Sequence, residues 1–218
     1  MDLQDPQSCE RLVQNGRDRL GGIDLLINNA AEAAFCSFQT QSAEQLRRMM
    51  EINLLAPMLL ARAAIPHLQA GGRIVNIGSV FGSIGFPYHV AYSATKFGLR
   101  GFSEALRREL RDCGIGVTYV APRATQTRMN SAAVHRYAER VRMKFDEPEQ
   151  VAAQILNAVE RGKSECVLGQ PEGFFAKLNA LLPGVVNLAL RDHAYAARVV
   201  LEQTTTDVSM ELRGLNKG

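Results

Sequence analysis

Gly71-Gly72-Arg73-Ile74-Val75-Asn76-Ile77-Gly78-Ser79 decides how this 218-residue chain is read. Its centre, Arg73 to Ile77, is short, branched and apolar and is bounded by glycines, the pattern of a buried strand. Upstream, Ser42 to Leu68 has helical spacing, with Leu46, Met49, Met50, Leu54, Leu59 and Leu60 on its apolar side. Pro57 marks a break or a first-turn position there, and Pro66 ends the regular part early. Before that helix, Ile23-Asp24-Leu25-Leu26-Ile27-Asn28 is another short apolar run and reads as a buried strand. Asp5 to Leu20 precedes it as a helix with Pro6 in its first turn, ended by Gly21-Gly22.

Downstream of Ser79 the alternation continues. A loop with Gly82, Gly85 and Pro87 leads to a helix from Val90 to Cys113, and Val117 to Val120 forms a third strand stopped by Pro122. Arg123 to Phe145 is polar and mixed, and is predicted to be a mobile segment around the site. Asp146-Glu147-Pro148-Glu149 opens a further helix, with Asp146 as N-cap and Glu149 at the third position of a capping box. Arg161-Gly162-Lys163 ends it, and Glu165 to Leu168 is a fourth strand. Strands alternating with crossover helices predict an α/β fold, a doubly wound parallel sheet with helices on both faces. The chain reads as one domain over residues 1–203, including an apolar helical segment at 170–203, followed by a polar, Thr-rich tail at 204–218 that is predicted to fray.

Composition narrows the function. A net charge of +3 is too small to argue for nucleic acid, and the basic residues are scattered over helix faces. Cys9, Cys36, Cys113 and Cys166 are far apart, share no metal-ligand spacing and read as reduced thiols of a cytoplasmic protein. The four histidines show no metal or triad spacing, so no metal is expected. Met1-Asp2-Leu3-Gln4-Asp5 is polar and acidic, so no signal peptide is expected, and no apolar run in the sequence reaches the roughly 20 residues that span a bilayer. The nearest, Phe174 to Leu190, is interrupted by Lys177, Asn179, Pro183, Gly184 and Asn187. It reads either as a core or lid helix pair or as a membrane-surface patch.

In parallel sheets ligands bind beyond the carboxyl ends of the strands. Asn28-Asn29, Ser79 and Pro122 all follow strand ends and should share one rim. Tyr92 and Lys96, in Tyr92-Ser93-Ala94-Thr95-Lys96, lie four apart near the start of the next helix and point from one face. Such a trio can hold a carbonyl or alcohol oxygen and move its proton. A tyrosine titrates near 10, and bringing it to about 7 takes about 4 kcal/mol. An ammonium at ~4 Å supplies on the order of that at an effective dielectric near 20. Lys96 is therefore expected to lower the Tyr92 pKa, while Ser79 donates to the substrate oxygen.

Together these motifs resemble the short-chain dehydrogenase/reductase family through about Leu168. Leu26-Ile27-Asn28-Asn29-Ala30-Ala31 is similar to its Asn-Asn-Ala-Gly segment, with Ala31 in place of glycine. Glu51-Ile52-Asn53 is similar to the helix bearing its fourth catalytic residue. Ala121-Pro122-Arg123-Ala124-Thr125-Gln126-Thr127 resembles its Pro-Gly-x-x-x-Thr segment, with Arg123 in place of glycine. Asp2-Leu3 resembles the pair after its third strand, whose aspartate contacts adenine.

The resemblance implies a Rossmann-like sheet and NAD- or NADP-dependent hydride transfer between a small-molecule secondary alcohol and a ketone, and the apolar Phe174 to Leu190 segment is read as covering an apolar or lipid-like substrate. It implies Ser79, Tyr92, Lys96 and Asn53 as catalytic residues, Asn53 supporting a relay to Lys96 through backbone and water. It implies Asp2, Leu3, Asn29, Ala30, Ala31, Tyr92, Lys96, Pro122 and Thr127 around the cofactor. It also implies a homo-oligomer built on the two long helices.

Structural readings stand beside these: Asn28 as a tie between strands, Asn53 as a solvent-facing helix residue, Thr127 as a cap, Asp2 as a disordered end. The resemblance further implies that the first strand–helix units and the glycine-rich phosphate turn are missing before Asp2, so the sheet is incomplete. The Asn28 strand should then be an edge, and cofactor affinity should fall to about millimolar from about micromolar if half the binding energy is lost. Two other functions remain open: a cofactor-less interaction subunit, and a peripheral membrane protein using Phe174 to Leu190.

Overall fold

The computed structural model describes the backbone of residues 2–215 and the side chains of residues 2–204. Helix α1 (Pro6–Leu20) starts on Asp5, whose carboxylate accepts from the Gln7 and Ser8 amides, and ends on Gly21 in the left-handed conformation. Strand β1 (Ile23–Asn28) follows with the expected limits. Ser42 and Gln45 form a capping box that opens α2 (Ala43–Met50). Glu51–Leu55 then widens into a π-turn before α3 (Ala56–Ala64), with Pro57 tolerated in the first turn of α3. The continuous helical path Ala43–His67 is long and apolar enough to cross a bilayer. That differs from the reading of the sequence, because Ala56, Leu60, Ala61 and Ala64 spend the apolarity in the core.

Strand β2 runs over Leu68–Ile77, so pairing begins five residues before Arg73. Helix α4 spans Val90–Glu109 and strand β3 Gly116–Ala121. The segment after β3 is not devoid of structure: α5 (Ala132–Arg140) lies within it, capped by Ser131. Helix α6 (Pro148–Glu160) has Glu147 as N-cap with no side-chain bond. The expected Asp146 capping box does not form, because Arg123 takes the Asp146 carboxylate with two bonds of 2.7 and 2.5 Å. Strand β4 covers Glu165–Val167, followed by α7 (Glu172–Leu181) and α8 (Pro183–Leu215). The boundary expected at residue 203 lies inside α8, whose backbone stays helical to Leu215. The stretch from Val185 carries no proline and no glycine before Gly214, so nothing local ends the helix. Residues 216–218 of the expected tail lie outside the described residues.

The four strands are parallel in the order β1-β2-β3-β4. Alternation along β2 sends Ile74 into the layer made by α1, α3 and α4, and Val75 into the layer under α6. Strand β1 pairs on one side only among the described residues. Its Leu25 and Ile27 are 40% and 46% exposed, as expected of an edge strand. Buried Asn28 donates to Asn76 Oδ1 at 2.8 Å, and Asn76 donates to Ser103 Oγ at 2.8 Å. Asn28 thus ties β1 to β2, and Asn76 ties β2 to α4.

Candidate active site

The carboxyl ends of β2 and β3 converge through Gly78 and Pro122. The Gly78 amide donates to Val120 O at 2.7 Å, and the Val80 amide to Pro122 O at 3.1 Å. Ser79 sits at this turn in extended backbone and caps the short helical turn Val80–Gly82, its Oγ accepting from the Phe81 amide at 3.2 Å. That bond uses a lone pair of the hydroxyl and leaves its proton for another partner.

Beneath the turn lies Tyr119, 1% exposed. Its hydroxyl sits 3.4 Å from the Ser79 amide and 3.3 Å from the Ser79 carbonyl. The ring fills the space where Cβ atoms of Gly78 and Gly82 would stand, 2.1 and 2.3 Å away. Tyr119 therefore sets the height of Ser79. Sequence reasoning missed it, because a tyrosine in an apolar strand looks like core and its partners lie 40 residues away.

Tyr92 and Lys96 occupy the first turns of α4. Lys96 is 2% exposed; its Nζ donates to Ile77 O at 2.9 Å and stands 5.6 Å from the centre of the Tyr92 ring. Burial pushes the Tyr92 phenol up to about 12, with the Ser79 hydroxyl opposing. Burial also brings the Lys96 ammonium down to about 8. The direction for Tyr92 is opposite to the one expected from the sequence. Desolvation of the phenolate dominates, and the ammonium lies over the ring face while bonding to the Ile77 carbonyl. At neutral pH the site thus holds a protonated phenol beside a cationic amine.

Asn53 is fully buried within the π-turn rather than solvent-facing. It brackets Glu32, accepting from its amide at 2.7 Å and donating to its carbonyl at 2.8 Å, and also reaches Thr95 Oγ1 at 3.2 Å. Thr95 in turn donates to Tyr92 O at 2.8 Å. Asn53 is thereby connected to the backbone of the Tyr92–Lys96 helix, and it fixes the loop that follows Asn29-Ala30-Ala31.

Ser79, Tyr92 and Lys96 border a cavity of about 770 Å³, whose lining does not include Asn53. Asn29, Ala31, Ser79, Tyr92, Lys96, Pro122 and Thr127 line it, together with Phe81, Ile84, Phe86, Phe175, Val186 and Leu190. Ala30 lines a neighbouring cavity of about 880 Å³ with Arg48, Asn29, Ala31 and Thr127. Thr127 also accepts from the Met129 amide at 3.4 Å, so it serves as a local cap as well. Asp2 and Leu3 line neither cavity. The Asp2 carboxylate accepts from the Gln4 amide at 3.0 Å, and Leu3 packs on the core. Arg123, standing where a glycine was expected, joins Asp146 and lies 3.6 Å from Glu172 at the start of α7, which ties the Pro122–Thr127 segment to the cavity wall.

A model of the short chain dehydrogenase family matches residues 1–138. The chain belongs to that family. The uncharacterized oxidoreductase YxnA of Bacillus subtilis is 28% identical over all of this chain and 66% of its own length. The 3-dehydrosphinganine reductase of Danio rerio is 30% identical over 84% of this chain and 56% of its own. A short-chain dehydrogenase from Burkholderia cenocepacia, solved in complex with NADP, is 26% identical with a TM-score of 0.72, covering 79% of this chain and 74% of that one. The chain spans about three-fifths of the length of the curated relatives it matches.

One wall of the cavity holds a histidine whose charged form is disfavoured by burial. His89 packs between Phe35 and Phe81, with ring centres 5.0 and 5.1 Å away. Burial pushes its pKa down to about 4, with the Pro87 carbonyl opposing. Between pH 6.5 and about 4 the unfolded chain binds a proton that the folded chain refuses, so stability falls as pH drops through that window. The full effect is on the order of 3 kcal/mol. Denaturant midpoints measured across this range should fall steeply in the wild type and less in His89→Phe; parallel curves would contradict the assignment.

Proposed function

We propose that this chain carries the proton-transfer and substrate half of an NAD- or NADP-dependent oxidoreductase that interconverts a ketone and a secondary alcohol. The observation that carries the reading is the convergence of the Ser79 hydroxyl, the protonated Tyr92 phenol and the Lys96 ammonium on one wall of a largely apolar cavity. A nicotinamide dinucleotide supplies the hydride when bound. The residues fit its nicotinamide end: a buried cation with donors to spare at Lys96, and small or conformationally fixed groups at Asn29, Ala31, Pro122 and Thr127 along the same wall.

In the reducing direction Tyr92 gives its proton to the substrate oxygen as negative charge develops there. Ser79 donates its free hydroxyl proton to that oxygen and fixes its place. Lys96 stabilises the phenolate left behind, and its remaining N–H groups would hold the nicotinamide ribose. Asn53 positions the helix that carries both residues through Thr95. The aromatic and aliphatic lining supports an apolar substrate, and a relative named for reducing 3-dehydrosphinganine supports the same class. The NADP-bound neighbour supports a nicotinamide cofactor. Exposed Leu55 and Phe97 on the long helices support self-association, and four unpaired cysteines support a reducing, cytoplasmic setting. Transfer of deuterium from a reduced nicotinamide cofactor to a long-chain ketone tests the reading.

A further inference from the structure

Helices α7 and α8 are apolar on two sides. Their inner sides close the cavity: Phe175, Val186 and Leu190 line it, and Val186 is 3% exposed. Their outer sides carry Phe174, Leu181, Leu182, Val185 and Leu188, exposed by 60, 79, 55, 53 and 65%. Helical spacing explains the division. Positions 185 and 188 lie on one face of α8, and positions 186, 190 and 193 on the other. Four large apolar side chains on two consecutive helices, with Leu182 at the joint between them, exceed the scattered exposure usual on a soluble surface.

The charges on this segment have one sign. Between Glu172, whose carboxylate faces Arg123, and exposed Asp192, the chain holds Lys177 and Arg191 and no carboxylate. An apolar face carrying only cations is complementary to a bilayer interface with anionic headgroups, where aliphatic groups enter the acyl boundary and amines stay at the headgroups.

We propose that the outer face of α7 and the start of α8 dock on an anionic lipid bilayer. The same helices then place the apolar cavity beside the acyl layer. This extends the apolar-substrate reading, but it rests on the surface rather than on the reaction. A protein inactive in hydride transfer would overturn that reading and leave vesicle binding unchanged.

Sedimentation with vesicles of phosphatidylcholine alone, and of phosphatidylcholine containing phosphatidylserine, tests the proposal. Wild type should pellet with both and more strongly with the anionic vesicles. The double variant Leu181→Glu/Leu188→Glu, altered only at exposed positions outside the cavity lining, should lose about a hundredfold in partitioning while keeping its circular dichroism and melting temperature. Lys177→Glu/Arg191→Glu should lose about fivefold per charge on anionic vesicles only. Wild type remaining in the supernatant with both vesicles would overturn the proposal, as would unchanged pelleting of the leucine variant. So would a wild-type dimer that this variant dissociates without any vesicle binding, which would assign the face to self-association.

Discussion

Replacing Tyr92 by phenylalanine is expected to lower ketone reduction by about 10²–10⁴-fold, the range that a general acid contributes. The ring itself should stay in place. Its edge-to-face contact with Phe81, at 5.9 Å between centres, and its position under the Lys96 ammonium need no hydroxyl. The thermal transition should therefore move little, and the loss can be assigned to the proton. Because burial holds the phenol at about 12, Tyr92 is protonated throughout the neutral range and suited to giving a proton to a carbonyl oxygen. Lys96, brought down to about 8, loses its charge above that pH, so reduction should weaken as Lys96 deprotonates. Steady-state rates of wild type and Tyr92→Phe with the same ketone at about millimolar cofactor decide the matter. Equal rates would remove Tyr92 from the chemistry.

Gly78→Ala is expected to be strongly destabilising. A Cβ at residue 78 would stand 2.1 Å from Tyr119 Cζ and 2.2 Å from its hydroxyl oxygen. Either the ring or the strand end must move, and both are held: Tyr119 is 1% exposed, and the Gly78 amide is bonded to Val120 O. Overpacking of this severity costs about 3 kcal/mol or more, which lowers the melting temperature of a chain of this size by roughly 6–12 °C. Ser79 should be displaced along with it, so turnover should fall too. Combining Gly78→Ala with Tyr119→Leu, which withdraws the clashing atoms, should restore part of the stability. A melting temperature for Gly78→Ala within a degree or so of wild type would contradict this packing.

The parts of the fold legible in the sequence were those with local causes. Strand β1 matched its expected limits because a branched apolar run between Gly22 and Asn29 has few alternatives, and Asp5 with Pro6 marked the start of α1. Ser79, Tyr92 and Lys96 were legible because a strand end and a four-residue helical spacing place them.

What escaped depended on distant partners. Helix α5 is only nine residues long within a polar stretch and is held where Tyr137 meets Ala196, Ala197 and Val200 of α8. Asp146 has the identity of an N-cap, yet Arg123, 23 residues earlier, competes for its carboxylate and wins with a bidentate bond. The sign of the Tyr92 shift depended on burial, which spacing does not reveal, and Tyr119 packs against glycines 41 and 37 residues away.

Deuterium transfer tests the proposed chemistry most directly. The protein would be incubated with nicotinamide cofactor, NADPH and NADH in turn, deuterated at the transferable position, and with a long-chain 2-ketone. The product alcohol would then be analysed by mass spectrometry. Label on the carbinol carbon with wild type, and its loss with Tyr92→Phe, is the expected result. Unlabelled ketone recovered with both cofactors at about millimolar concentration would contradict hydride transfer at this site.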